Sequence, residues 1–308
     1  MEILNDAKSL QAGERKVCVG IGVFDGVHLG HQQVLRQTLE DARQTEGIPV
    51  AITFDRHPNN VVAPKRAPAM IYSLEKRLET IATLGFEHIL VYEFTPEFSR
   101  IPGEQFIHQL VEEFKTLHRI SVGKEFTFGS RRSGNVELLR ALGTQENYEV
   151  HGLAAVALDG EPVSSTRIRS ALQQGDLSAA SQMLGRAYAL SGRVVKGAQL
   201  GRQLGFPTAN LDVAGLITPP HGVYAAHVKT SEHTHRAALN IGLRPTLAES
   251  EPTLHVEAHL LDYEGDLYDE TLEVTFAEKI RAEQKFPDLD ALKTQIAKDV
   301  ESARRIFA

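Results

Sequence analysis

Three short runs near the start of the chain, 17–24, 49–54 and 88–94, are apolar enough to be buried on both faces, as strands inside a parallel sheet are. Between them lie stretches with helical spacing. Leu35, Leu39 and Ala42 share a face within 32–46, and Leu74, Leu78, Ile81 and Ala82 do so within 73–84. Phe106, Leu110, Val111 and Phe114 mark a third helix, and 119–122 reads as a fourth strand. Such alternation is compatible with few architectures. It predicts an α/β domain with a Rossmann-like, doubly wound parallel sheet, whose ligands sit at the carboxyl ends of the strands.

From about Tyr188 the pattern changes. Short β-rich runs at 190–195, 223–228, 236–241, 254–261 and 271–276, separated by Gly- and Pro-rich turns, predict a small antiparallel barrel. A last helix follows, with Leu289, Leu292, Ile296, Val300 and Ile306 expected to face that barrel. At 308 residues two domains are the natural expectation. The boundary is expected near 182–186, after helical segments at 167–173 and 177–184, giving domains 1–182 and 183–308.

A net charge of −7 argues against nucleic acid as the main partner. Cys18 is the only cysteine, so no intrachain disulfide forms and a reducing compartment fits. No apolar run approaches the roughly 20 residues that span a bilayer, and the N-terminus lacks a signal-peptide pattern. A cytoplasmic protein without membrane partners, monomeric or weakly homo-oligomeric, is expected.

The chemistry starts at Gly22-Val23-Phe24-Asp25-Gly26-Val27-His28-Leu29-Gly30-His31, where the first strand turns into a helix. Free N–H groups and the helix dipole favour an anion there. Gly26 and Gly30 allow close backbone approach. His28 and His31 can donate to phosphate oxygens as charge builds up in a transition state. Far downstream, Ser164-Ser165-Thr166-Arg167-Ile168-Arg169 places hydroxyls and two forked guanidiniums at another helix start. A plain helix cap accounts for the serines but not for Arg167 and Arg169 as well.

In the second half, Gly197, Gly201 and Gly205 recur within 197–210, which suits a mobile flap over phosphate that also carries Arg202. Thr208 and Asn210 alternate to one side of an extended segment and offer two neutral oxygens. Mg²⁺ takes such ligands together with water and nucleotide phosphates. Strand alternation in 254–261 sends Leu254, Val256, Ala258 and Leu260 one way and Glu257 the other, flanked by His255 and His259. His227, His233 and His235 lack an acidic or thiol partner in pattern and read as surface residues.

The two N-terminal motifs resemble the nucleotidyltransferase superfamily. With Thr53-Phe54-Asp55-Arg56-His57-Pro58 and Val122-Gly123-Lys124-Glu125-Phe126-Thr127-Phe128-Gly129, the chain is similar to the prokaryotic bifunctional riboflavin kinase/FAD synthetase family. Ala238-Leu239-Asn240-Ile241-Gly242-Leu243-Arg244-Pro245-Thr246, Gly265-Asp266-Leu267-Tyr268 and Ile280-Arg281-Ala282-Glu283-Gln284-Lys285-Phe286 extend the likeness over nearly the whole chain.

The resemblance implies ATP as co-substrate and Mg²⁺ in both steps, with riboflavin phosphorylated to FMN by the barrel and FMN adenylylated to FAD by the N-terminal domain. It further implies that Phe24, Asp25, Gly26, His28, His31, Ser165, Thr166, Arg167 and Arg169 bind ATP. Phe54, Pro58 and Phe126 would contact the flavin ring, and Glu257 would act as general base. Four residues depart from the family pattern: Arg56 for Pro, Glu125 for Asn or Asp, Lys196 for His, and Asp269 for Gly. Two alternatives stay open, a flavin-binding regulator and a nucleotidyltransferase acting on another small phosphate ester.

Overall fold

The computed structural model describes residues 1–197, 199–244 and 253–308. The chain divides into two compact units, Met1–Arg167 and Ile168–Ala308.

In the first unit, six strands form one all-parallel sheet: β1 (Glu2–Leu4), β2 (Val17–Ile21), β3 (Ile48–Phe54), β4 (His88–Tyr92), β5 (Leu117–Gly123) and β6 (Glu149–Leu153). Their order is β1-β4-β3-β2-β5-β6. Every residue of β2 is buried, as its central place requires. β1 and β6 had no counterpart among the predicted strands. Both are edge strands, and an edge strand is recorded only weakly in the sequence: β1 is three residues long, and β6 carries His151 and Gly152.

The helices cover both faces. On one side α1 (Leu29–Gln44) packs Val34 and Leu35 with Phe24, Val27 and Ala51, and the Leu78 and Ile81 that join them lie on the later helix 74–82. A four-residue helix, α2 (Asn59–Val62), precedes that helix, α3 (Leu74–Ala82), whose first turn is capped by Ser73 accepting from the Lys76 amide. On the other side α4 (Gly103–Phe114) and α5 (Val136–Glu146) supply Phe106, Ile107, Leu110, Leu139 and Leu142 to the larger core. A small hairpin, β7 (Ala157–Leu158) and β8 (Glu161–Pro162), leads into α6 (Ser165–Gln174), which crosses the division between the units.

The second unit continues with α7 (Leu177–Leu184), stopped by Gly185 at φ 70°, a left-handed position that glycine adopts without strain. Then come β9 (Ala189–Val195), a five-residue helix α8 (Leu200–Leu204), β10 (Ala209–Asp212), β11 (Gly222–Lys229), β12 (Thr234–Arg244), β13 (Thr253–Leu260) and β14 (Thr271–Ala282). The six strands close into an antiparallel barrel in the order β10-β13-β12-β11-β14-β9. Its interior is filled by Leu190, Leu211, Tyr224, Leu239, Val256 and Val274, among others.

The terminal helix α9 (Leu289–Ile306) begins at Asp288, whose carboxylate accepts from the Ala291 amide at 2.8 Å. Val300, Ala303 and Ile306 pack against Ala225, Ala238 and Leu261 of the barrel. Leu289 does not join them: it is 56% exposed, because the apolar face of the helix begins only at Leu292. No helix among the described residues is long and apolar enough to cross a membrane.

Candidate active sites

Strand β2 ends at Ile21, three residues before the apolar run does, because the backbone then leaves extended geometry. Phe24 at φ 51°, Gly26 at 77° and Val27 at 41° form a tight left-handed turn. Left-handed backbone costs roughly 1–2 kcal/mol at a residue with a Cβ, so contacts must hold this turn. Phe24 and Val27 are buried in the core, and the Asp25 carboxylate accepts from the amides of Ile71 at 2.9 Å and Tyr72 at 3.2 Å.

The turn delivers His28 to the cap of α1, where its Nδ1 accepts from the His31 amide at 3.3 Å. The two imidazoles stack, centroids 3.6 Å apart, and the edge of Phe24 meets His31 at 5.4 Å. A Cβ on Gly30 would press on the His28 ring at 3.2 Å, which explains a glycine between the histidines.

The distant serine motif reaches the same place. Ser165 Oγ donates to the Asp25 carbonyl at 3.0 Å, joining residues 140 apart. Ser164, not Ser165, caps α6, accepting from the Arg167 amide at 3.2 Å. Thr166 is exposed in the first turn. The Arg167 guanidinium donates to the carbonyls of Leu158 at 3.0 Å and Glu161 at 3.1 Å, and so braces the β7–β8 hairpin. Arg169 lies beyond the division, in the second compact unit.

Beside this turn opens a cavity of about 620 Å³. Phe54, Pro58 and Phe126 all line it, together with Phe94, Phe98, Phe106 and Phe128. Phe54 meets Phe94 and Phe98 edge-on at 5.6 and 5.9 Å, while Phe126 and Phe128 stack at 5.4 Å. Val23, one residue before Phe24, also lines the cavity, so it adjoins the histidine turn. Such a slot suits a planar, largely apolar ring system.

Below it sits a residue that the pattern reading passed over. Arg77 is only 1% exposed, and its guanidinium donates to the carbonyls of Val23 (2.6 Å), Phe54 (2.9 Å) and Asp55 (3.1 Å) and to Thr53 Oγ1 (3.4 Å). Burial pushes its pKa below the ordinary arginine value. Asp55 in turn accepts from the Phe94 amide at 2.9 Å, so the ends of β2, β3 and β4 are tied together. The signal was a charged residue within the apolar stripe of Leu74, Leu78 and Ile81.

On the barrel, one row of polar side chains crosses three strands. Asn210 on β10 pairs with Glu257 on β13, which pairs with Asn240 on β12. Their neighbours Ala209, Leu211, Val256, Ala258, Leu239 and Ile241 fill the barrel, so strand alternation turns the polar row outward. Two clefts meet here. One, of about 280 Å³, contains Glu257 and Asn240 and is walled by Phe286 and by Leu292 and Ile296 of α9. The other, of about 540 Å³, is lined by Gln199, Arg202 and 263–268. Thr208 lines both.

The glycines explain the crowding. A Cβ on Gly197 would lie 2.5 Å from the Asn210 amide, and one on Gly201 would lie 2.4 Å from the Phe206 carbonyl and 3.3 Å from Thr208 Oγ1. Gly205 takes φ 90° to end α8. Ala198 of this segment, and Pro245 and Thr246 of the 238–246 run, lie outside the described residues. Asn210 Oδ1 is buried with no hydrogen-bond partner among the described residues. A buried acceptor left this way, beside a second neutral oxygen on Thr208, fits an Mg²⁺ site.

Comparison with known proteins agrees in both halves. Residues 10–167 match the family model for FAD synthetase, and 184–307 match that for riboflavin kinase. A bifunctional riboflavin kinase/FMN adenylyltransferase from Pseudomonas fluorescens is 36% identical over 309 residues, covering 100% of this chain and 98% of the relative. The chain belongs to the bifunctional riboflavin kinase/FMN adenylyltransferase family.

A family member from Haemophilus influenzae is 38% identical over 289 residues, 93% of each chain. A crystal structure described as a macrolide-efflux protein from Streptococcus pneumoniae aligns with a TM-score of 0.80 at 28% identity, covering 98% of each chain.

Within the bifunctional family, two of this chain's departures now have a place. Asp269 adopts φ 67°, the region glycine enters freely, and pairs with Arg193 at 3.0 Å. Glu125 is exposed and precedes Phe126, which lines the aromatic cavity.

Proposed function

We propose that the barrel transfers the γ-phosphoryl of ATP to riboflavin, giving FMN, and that the parallel-sheet unit transfers AMP from a second ATP to FMN, giving FAD and pyrophosphate. Residues 183–308 carry the first reaction and residues 1–182 the second. The observation that bears most weight is the position of Thr208 between two clefts, one with Glu257 inside it. A nucleoside triphosphate in the larger cleft and riboflavin in the smaller would meet at the Thr208–Asn210–Glu257 row.

Thr208 and Asn210 would hold Mg²⁺, which when bound supplies charge neutralisation for the phosphates. Glu257 accepts the proton of the ribityl 5′-hydroxyl as its oxygen bonds to the γ-phosphorus and the bond to ADP breaks. Gly197, Gly201, Arg202 and Gly205 shape the segment over the nucleotide.

In the other unit, the aromatic cavity orients FMN so that a phosphate oxygen attacks the α-phosphorus of ATP in line, and pyrophosphate leaves. His28 and His31, held by the left-handed turn, donate to the charge that develops on the phosphates. Phe24 and Asp25 shape that turn, and Gly26 permits it. Ser165 locks it, and Thr166 and Arg167 contribute from the first turn of α6. Phe54, Pro58 and Phe126 contact the flavin ring.

Incubating purified protein with riboflavin, ATP and magnesium, then separating products by chromatography, tests both steps. FMN should appear first and FAD after it. Absence of FMN refutes the barrel assignment, and absence of FAD from supplied FMN refutes the other.

A further inference from the structure

Two residue pairs along the strands from the Glu257 row stands an imidazole that the proposed transfer does not use. His255 stands on β13 two residues before Glu257, so both project from the outer face of the barrel, and both line the 280 Å³ cleft. Its cross-strand neighbour is Gly242, which has no side chain to cover it. His255 Nε2 is buried and has no hydrogen-bond partner among the described residues. Leaving a buried ring nitrogen unpaired is costly and marks a position completed by something else.

His259 flanks Glu257 on the other side and makes the contrast. Its Nδ1 is bonded to the Pro207 carbonyl at 2.8 Å, and its ring meets Phe206 edge-on. One flanking histidine is therefore fastened to the protein, while the other keeps a buried nitrogen at the wall of the cleft without a partner among the described residues.

We propose that His255 binds riboflavin, forming through Nε2 a hydrogen bond to a polar group of the flavin other than the 5′-hydroxyl served by Glu257. The assignment rests on the kinase reading of this cleft. Two residues along a strand is a step of about 7 Å, longer than the gap between adjacent hydroxyls of a sugar-alcohol chain. His255 therefore addresses a part of the substrate nearer the ring. It faces the cleft with Glu257 and does not line the larger cleft assigned to the nucleotide, so its contribution belongs to flavin affinity and not to ATP affinity.

The test uses the full-length protein with His255→Leu and the polar replacement His255→Gln. The readouts are riboflavin affinity by fluorescence titration and steady-state kinetics of both reactions. His255→Leu is expected to weaken riboflavin binding and raise its KM about tenfold, the scale of one hydrogen bond to a buried group. The KM for ATP and FAD formation from supplied FMN stay at wild-type values, and His255→Gln recovers part of the loss. Unchanged riboflavin affinity in a folded His255→Leu protein overturns the assignment, as does a rise confined to the KM for ATP. If His255→Leu does not fold, His255→Ala takes its place, and riboflavin affinity equal to wild type in the folded His255→Ala protein likewise overturns the assignment. Failure of the wild-type protein to phosphorylate riboflavin is a separate result, which removes the kinase reading itself.

Discussion

Ser164 and Ser165 are adjacent hydroxyls with different partners, so each serves as the control for the other. Ser165 Oγ ties the start of α6 to the Asp25 carbonyl, whereas Ser164 Oγ only caps its own helix. Leaving a buried carbonyl without its donor costs about 1–3 kcal/mol. Asp25 is 2% exposed, and losing a hydrogen bond at so buried a residue is worth about 2 kcal/mol for Ser165→Ala. Expressed fully in the adenylylation transition state, that energy lowers FAD formation about 30-fold. Ser164→Ala loses a cap of about 1 kcal/mol and slows FAD formation by no more than about fivefold. Neither change touches the barrel, so FMN formation from riboflavin proceeds at the wild-type rate. Timed incubations with riboflavin or FMN as acceptor, read by chromatography, separate these outcomes. Equal losses in the two variants, or an undiminished FAD rate in Ser165→Ala, would refute the junction. A fall beyond about a thousandfold would instead assign the hydroxyl to direct substrate contact.

Other perturbations divide the two activities. Glu257→Gln is expected to lower FMN formation by about 10²–10⁴-fold, the range of general-base catalysis, and to leave FAD synthesis from FMN intact; loss of both activities contradicts the split. His31→Ala stops the sequence at FMN, and continued FAD output from this variant removes His31 from the mechanism. Asn210→Ala raises the magnesium concentration needed for half-maximal riboflavin phosphorylation; a magnesium titration identical to wild type denies it a ligand role. Arg77→Met removes the guanidinium donor from the carbonyls of Phe54 and Asp55 and leaves Val23 with Thr53 Oγ1 alone, costing about 3 kcal/mol and lowering the melting temperature of the first unit by about 6–12 °C. A melting curve within about 2 °C of wild type shows the network to be dispensable.

The elements with strong periodicity were legible: the apolar central strands, most of the amphipathic helices and the barrel strands other than β10; α5, with its weaker apolar stripe, was not among them. What escaped was structure whose residues have no local signature. Edge strands β1 and β6 satisfy their hydrogen bonds on one side only and need little apolar sequence. Arg77 was hidden because a charge in an apolar stripe reads as an exposed exception until four acceptors are found around it. The helical facing of Leu289 was overextended, since periodicity locates a stripe but not the point at which the partner surface begins.

Phe54, Pro58 and Phe126 were individually no more than apolar residues near strand ends. The cavity that unites them needs Phe94, Phe98, Phe106 and Phe128 from other segments, and no spacing rule links those.

By itself the sequence determined the central strands, the two modules, the histidine turn, the Thr208–Asn210 pair and the face of β13 that carries Glu257. Those depend on local steric rules and on short-range periodicity, which act between residues a few positions apart. Only the tertiary structure decided that Ser165 closes on Asp25, that Asn210, Glu257 and Asn240 form one row, and that Thr208 stands between two clefts. Strand register and sheet order bring those groups together, and both are set by burial of the whole core, a sum over distant residues that no short segment records.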